Sequence, residues 1–87
     1  MEAKELRITI PENLNYTSAF DDLFEKYTAS YELQKAKTTN LGSMFDLSYR
    51  IILKNAEKEK PFLDEIRCRN GNLTVSCGKI TETNDSL

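Results

Sequence analysis

The sequence predicts an α+β fold whose elements follow the order β-α-β-β-α-β. Four segments alternate apolar and polar residues with period two, which is typical of half-buried strands. Two other segments repeat apolar residues at three- and four-residue spacing, which is typical of amphipathic helices. Right-handed crossovers in this order place both helices on one face of a four-stranded antiparallel sheet. The predicted architecture is therefore a ferredoxin-like sandwich, with the first and third strands inside the sheet and the second and fourth at its edges.

The first strand and the first helix occupy the N-terminal part of the chain. Residues 6–10 alternate in polarity and Pro11 follows them, so the first strand is predicted there. Asn13 or Asn15 can cap the helix that follows, which we expect to end near Thr28 or Ala29. Its apolar stripe consists of Tyr16, Ala19, Phe20, Leu23, Phe24 and Tyr27.

Two strands are predicted in the middle of the chain. Residues 31–40 alternate unevenly, which indicates a second strand with a possible bulge. Gly42 can adopt a positive φ in the turn at residues 41–43. Residues 44–54 form the strongest strand pattern, which predicts a central strand packed on the core. Its apolar residues of one parity are Phe45, Leu47, Tyr49, Ile51 and Leu53.

A second helix and a fourth strand complete the pattern. Asn55 is the predicted cap, and Pro61 belongs in a first turn, so the regular helix should begin nearer Lys58 than Ala56. Phe62, Leu63 and Ile66 form its apolar face. Asn70-Gly71 is predicted to stop the helix in a left-handed conformation, and the fourth strand is expected at residues 73–77.

The 87 residues are enough for one domain. We expect a disordered segment at residues 1–5, the folded domain at residues 6–78 and a polar tail at residues 79–87. The longest apolar run, residues 51–53, is far too short to span a bilayer, so no direct membrane insertion by this segment is expected.

Catalysis is not expected from this sequence. The chain has no histidine, which removes the commonest general base and the usual zinc ligand sets. The carboxylate pairs Asp21-Asp22 and Asp64-Glu65 are adjacent on predicted helices, so their side chains diverge. We therefore predict no catalytic residues, no metal and no cofactor. Cys68 and Cys77 lack metal-site spacing and are expected to be small, mostly buried apolar residues, with a single disulfide as the alternative.

Nucleic acid is not an expected partner either. The formal net charge is −2, and RNA-recognition domains of this fold stack bases on exposed aromatic residues. The predicted open face of the sheet has none. Its residues are Arg7, Thr9, Ser48, Arg50, Thr74 and Ser76.

Two kinds of binding surface remain. An edge strand, or the sheet face, can pair with a second copy of the chain to form a homodimer, whereas Lys35 and Lys37 can instead discourage such pairing. Polar groups also cluster at the end of the second helix, where guanidinium groups can hold a small anion or a partner carboxylate. The candidate ligand-binding residues are Arg67, Arg69, Asn70 and Asn72, although a helix stop also explains this block.

Residues 5–78 resemble a known domain. The most specific similarity is the run Arg67-Cys68-Arg69-Asn70-Gly71-Asn72-Leu73, supported by residues 6–11, 20–27, 46–50, 58–60 and 62–66. The domain is the C-terminal soluble part of a family of bacterial multi-span membrane proteins. That family has no assigned activity, and its genes often lie beside those of polyphosphate-polymerase-like proteins. A weaker similarity reaches the ACT-like C-terminal domain of MgtC-type membrane proteins.

The resemblance implies a cytoplasmic domain of an inner-membrane protein, with transmembrane helices ahead of Met1. It supplies no catalytic residues. The expected function is a non-catalytic regulatory or assembly module that acts through self-association or partner docking, including docking to the rest of the membrane protein. The alternative is an ACT-like sensor that binds a metabolite or an anion at a dimer joint.

Overall fold

The structure, a computed structural model, describes residues 2–80 and confirms the order β-α-β-β-α-β. Its elements are β1 (Ala3–Pro11), α1 (Asp21–Tyr27), β2 (Thr28–Thr39), β3 (Met44–Leu53), a 3-10 turn (Ala56–Lys58), α2 (Glu59–Arg69) and β4 (Val75–Lys79). The four strands form one antiparallel sheet in the order β2-β3-β1-β4. The prediction that the first and third strands lie inside the sheet is therefore confirmed.

The register of the inner strands produces one apolar face. Leu6 lies opposite Tyr49, and Ile8 lies opposite Leu47 on β3 and Val75 on β4. Directly opposed residues of an antiparallel pair point to the same side of the sheet. The apolar residues that alternate along each strand therefore form a single surface, and both helices pack on it.

The core joins that surface to both helices. Phe24 of α1 lies 4.8 Å from the Tyr49 ring and 6.0 Å from the Phe62 ring of α2, measured between centroids. Phe45, which was predicted on this face, is partly buried against the core. The buried apolar residues are Leu6, Ile8, Ile10, Phe20, Leu23, Phe24, Tyr27, Leu47, Tyr49, Ile51, Leu53, Phe62 and Ile66.

The first helix is shorter than predicted. It begins at Asp21, and the segment before it forms turns in which Asn15 Oδ1 accepts hydrogen bonds from the backbone and the hydroxyl of Thr17. Asn15 therefore caps a local turn instead of the helix, because its short side chain competes with helical hydrogen bonding. Tyr16 still packs against the core from this segment. The helix ends at Tyr27, one residue before the predicted limit, because β2 starts at once.

Three strand boundaries also differ from prediction. β1 starts at Ala3, so part of the segment expected to be disordered is paired with β3, with Lys4 opposite Ile51. β2 starts at Thr28 and is bulged as predicted, at two places. β4 runs from Val75 to Lys79, two residues later than expected. Pairing with β3 extends β1 and β2 beyond their polarity patterns, and pairing with β1 shifts β4 towards Lys79. Residues 81–87 of the predicted tail lie outside the described residues.

The second helix starts and stops largely as predicted. Asn55 Oδ1 accepts a hydrogen bond from the Glu57 backbone at 2.9 Å, and the 3-10 turn leads into α2 at Glu59. Gly71 has a φ of 74°, so the left-handed stop is at this glycine.

Cys68 is exposed, which corrects its expected burial. It lies two residues beyond the buried Ile66 in the helix and so faces away from the core. Cys77 is half-buried, and both thiols are free.

Candidate functional site

The edge strand β2 is the most exposed element of the sheet. It has 12 residues, whereas strands usually have about five or six. Its only neighbour within the described residues is β3, so one side of its backbone is left without a strand partner. The opposite edge, β4, has only five residues. The molecule therefore offers one long edge and one short edge.

An apolar cleft lies beside this edge on the helix side of the sheet. Tyr31 and Leu33 are each 40% exposed, although their pairing partners Ile51 and Tyr49 are buried. The Tyr31 ring stacks on Phe24 with centroids 4.5 Å apart and planes 8° apart. We call the surface formed by Tyr16, Thr17, Asp21, Phe24, Tyr31, Leu33 and Tyr49 the edge cleft.

Tyr49 lines the edge cleft and is buried. Burial raises the pKa of Tyr49 to about 12, because the charged phenolate is disfavoured away from water. Tyr49 is therefore neutral at physiological pH. The edge cleft can contribute contact area and shape, which is what a docking surface requires.

A bulge divides β2 into two parts of opposite parity. Leu33 lies opposite Tyr49 and Lys35 lies opposite Ser48, so Gln34 is an extra residue with no partner of its own. After the bulge, Lys35 and Lys37 point to the open face of the sheet. This placement could not be read from the uneven alternation of β2 alone.

The open face is organised in rows that cross the sheet. One row contains Lys35, Ser48, Arg7 and Ser76, each opposite the next across neighbouring strands. We call it the cation row. The open-face positions predicted from the sequence are thereby placed together, with Arg50 one row away, opposite Glu5.

A shallow depression of about 180 Å³ lies over the cation row. A second row borders it, in which Lys37 is opposite Asp46 and Asp46 is opposite Thr9. The Thr9 hydroxyl donates a hydrogen bond to Asp46 at 2.8 Å. The depression is lined by Arg7, Thr9, Lys35, Lys37, Asp46, Leu47, Ser48, Thr74 and Ser76, none of which is aromatic.

The predicted cluster after the second helix has a different arrangement. The Arg69 guanidinium donates to both carboxylate oxygens of Asp22, at 2.5 and 2.7 Å, and to the Ala19 carbonyl at 3.1 Å. These bonds hold the pKa of Asp22 at about 2, well below its ordinary value of 3.8. Arg69 thus ties the end of α2 to the beginning of α1.

Asn70 is fully buried and joins α2 to the sheet. Its Nδ2 donates to the Thr9 carbonyl at 2.8 Å and to the Leu73 carbonyl at 3.2 Å. Asn72 has a φ of 62°, and its backbone donates to the Arg67 carbonyl at 3.1 Å. The structure therefore separates the four residues: Asn70 points inward, Arg69 holds Asp22, and Arg67 and Asn72 are exposed. Ligand binding by this cluster stays a prediction.

A second polar tether joins the helices. The Tyr27 hydroxyl donates to Glu65 of α2, and Lys26 approaches the same carboxylate at 3.1 Å. Hydrogen bonds from Tyr27 and then from Lys26 lower the pKa of Glu65. Both tethers join α1 to α2 through charged side chains.

A comparison of the chain with models of known protein families, and with curated proteins, finds no match. Among the described residues, no helix is long and apolar enough to cross a membrane. The same residues contain no cluster of three or more side chains suited to a metal ion.

Proposed function

We propose that this domain is a non-catalytic assembly module in which the β2 edges of two copies pair antiparallel. The single observation that carries the proposal is the 12-residue exposed edge with Tyr31 and Leu33 displayed beside it. Unpaired strand edges supply backbone hydrogen bonds to a second strand, and the adjacent apolar side chains supply hydrophobic contact. The second copy of this chain is the occupant to which we commit.

The bulge restricts how two copies can pair. Side chains opposed across an antiparallel pair share a face, and the Gln34 bulge reverses parity along β2. Residues of β2 that point to the helix side of the sheet in one copy therefore lie opposite such residues of the other copy only in certain registers. In the register centred on the strand, Tyr31 of one copy lies opposite Ala36 of the other.

Charge favours the same arrangement. In the centred register Glu32 of each copy lies opposite Lys35 of the other, and the two-fold axis repeats this pair. A shift by two residues brings Glu32 opposite Lys37 instead. Opposite charges that face each other across strands stabilise pairing, by roughly 0.2–1 kcal/mol per pair. In this arrangement Lys35 and Lys37 select the pairing register. Under the competing hypothesis the same two lysines discourage edge pairing.

The resemblance of residues 5–78 to the C-terminal domain of bacterial multi-span membrane proteins extends the proposal. In that setting the module is a cytoplasmic end of an inner-membrane protein, and edge pairing brings two such proteins together. The absence of histidine from the chain supports a role in binding over one in catalysis.

Sedimentation velocity tests the proposal from low to high micromolar concentration. We expect wild type to shift from monomer to dimer, and Leu33→Glu to weaken dimerisation by at least about tenfold, because like charges meet near the two-fold axis. Leu41→Glu is the matched control, since Leu41 is fully exposed in the turn outside β2. A wild type that stays monomeric throughout, or a Leu33→Glu variant that dimerises like Leu41→Glu, refutes edge pairing.

The second candidate function is a small-ligand sensor. The observation that favours it is the depression over the cation row. A ligand that binds only the folded state raises the midpoint of thermal unfolding.

A further inference from the structure

The cation row has the chemistry of an anion site. Arg7 and Lys35 lie on the two strands that flank β3, and Ser48 lies between them in register. Strands are spaced about 4.8 Å apart, so the two cationic residues start about 10 Å apart at their backbones. The small Ser48 side chain leaves the space between them open, which is why a depression forms there.

The charges around the depression are unbalanced. Three cationic side chains line it, Arg7, Lys35 and Lys37, against the one carboxylate of Asp46. Asp46 already accepts the Thr9 hydroxyl and lies opposite Lys37. Arg7 also forms an ion pair with Glu5 at 3.5 Å, and its side chain remains 66% exposed. Three cations are thus set against two carboxylates, so one excess positive charge remains over the cation row.

Hydroxyl groups complete the site. Ser48 and Ser76 stand on either side of Arg7 in the same row, and Thr74 lies beside Ser76. A tetrahedral oxyanion accepts several hydrogen bonds at once, and guanidinium groups bind it in a bidentate manner. A flat carboxylate would use fewer of these donors.

We propose that the open face binds a free, phosphate-bearing small molecule, with its phosphate over Ser48 between Arg7 and Lys35. This inference rests on the second candidate function, the small-ligand sensor, and does not require edge pairing, because the site lies within one copy. In the centred register, however, Lys35 also lies opposite Glu32 of the second copy, so the two interactions compete for one cation. Binding is therefore measured on the Leu33→Glu variant as well as on wild type, which separates failure of one proposal from failure of the other.

The test is a titration with inorganic phosphate at constant ionic strength, monitored by backbone amide chemical shifts. A parallel titration with sodium chloride is the comparison. We expect saturable shifts centred on Arg7, Ser48 and Ser76. Arg7→Gln and Lys35→Gln should each weaken binding by at least about tenfold, since each removes one charge-assisted contact. Lys58→Gln, which removes the same charge from an exposed position on the 3-10 turn, should leave affinity unchanged.

Three outcomes overturn the proposal. Shifts that do not saturate, or that sodium chloride reproduces, indicate general screening. Equal affinity in Lys35→Gln and Lys58→Gln places the anion elsewhere. Co-sedimentation with phosphatidic acid vesicles, lost in Lys35→Gln and without any response to inorganic phosphate, assigns the surface to a lipid headgroup instead of a free ligand.

Discussion

Arg69 and Asn70 are adjacent in the sequence, but they stabilise different parts of the fold. Arg69 reaches across to Asp22 at the start of α1, whereas Asn70 turns inward and donates to the carbonyl of Thr9 in β1. The helix ends at this point, so consecutive side chains point in separate directions. Residues that are neighbours in the sequence thus form two separate interactions, an ion pair of Arg69 at the surface and buried hydrogen bonds of Asn70.

Asn70→Ala should lower the free energy of unfolding by about 1–3 kcal/mol. The substitution removes two hydrogen bonds from a fully buried side chain and leaves the carbonyls of Thr9 and Leu73 without these donors. Urea denaturation measures the change. Asn13→Ala is the matched control, because Asn13 is exposed. Equal costs for the two variants would contradict a structural role for Asn70.

The ion pair between Arg69 and Asp22 should make stability depend on pH. The folded-state pKa of Asp22 is lowered to about 2 from 3.8, so folding favours the ionised form. Its contribution is fully present above about pH 4 and is lost as the pH falls towards 2. The difference in unfolding free energy between wild type and Asp22→Asn should shrink across that interval. A difference that stays constant with pH would show that the pair does not contribute through ionisation.

At the scale of elements, β3 holds the domain together. It pairs with β2 on one side and β1 on the other, and four of its side chains are buried. Its alternation is the clearest in the sequence because one face of the strand packs on the core. β2 is paired only on one side and has an extra residue at Gln34, so its pattern is weak.

Leu47→Ala should lower the free energy of unfolding by about 2–5 kcal/mol, because Leu47 is fully buried in the central strand. Leu41→Ala offers the same chemical change at a fully exposed leucine and should stay within about 0.5 kcal/mol of wild type. Chemical denaturation of both variants provides the measurement. A small cost at Leu47 would mean that the register of β3 is wrong.

At the scale of the whole molecule, the two helices cover only part of the sheet. Helix α1 contacts β2 and helix α2 contacts β4, while the helix-side residues Tyr31 and Leu33 of β2 remain partly exposed. A domain of this size buries a modest fraction of its surface, so the proposed pairing with a second copy would cover this margin and add to stability.

If edge pairing occurs, the midpoint of thermal unfolding should rise with protein concentration, because association stabilises only the folded chain. Differential scanning fluorimetry over a roughly hundredfold range of protein concentration measures this rise. The midpoint of Leu33→Glu should rise less over the same range, and that of Leu41→Glu should follow wild type. A wild-type midpoint independent of concentration argues against self-association.

Local patterns in the sequence determined much of this fold. The period-two strands, the stripe of α2 and the Asn70-Gly71 stop depend on short-range geometry, which each segment carries by itself. The order of elements and handedness rules then determined the arrangement of the sheet.

The sequence predicted an edge strand and the open face as candidate surfaces, but only the tertiary structure decided how their residues are arranged. The bulge at Gln34 directs Lys35 and Lys37 to the open face, and strand register places Lys35 and Arg7 on either side of Ser48. The same is true of Arg69, which holds Asp22 across 47 positions of sequence. Such juxtapositions arise from strand pairing and helix packing between distant segments, so no local pattern of polarity encodes them.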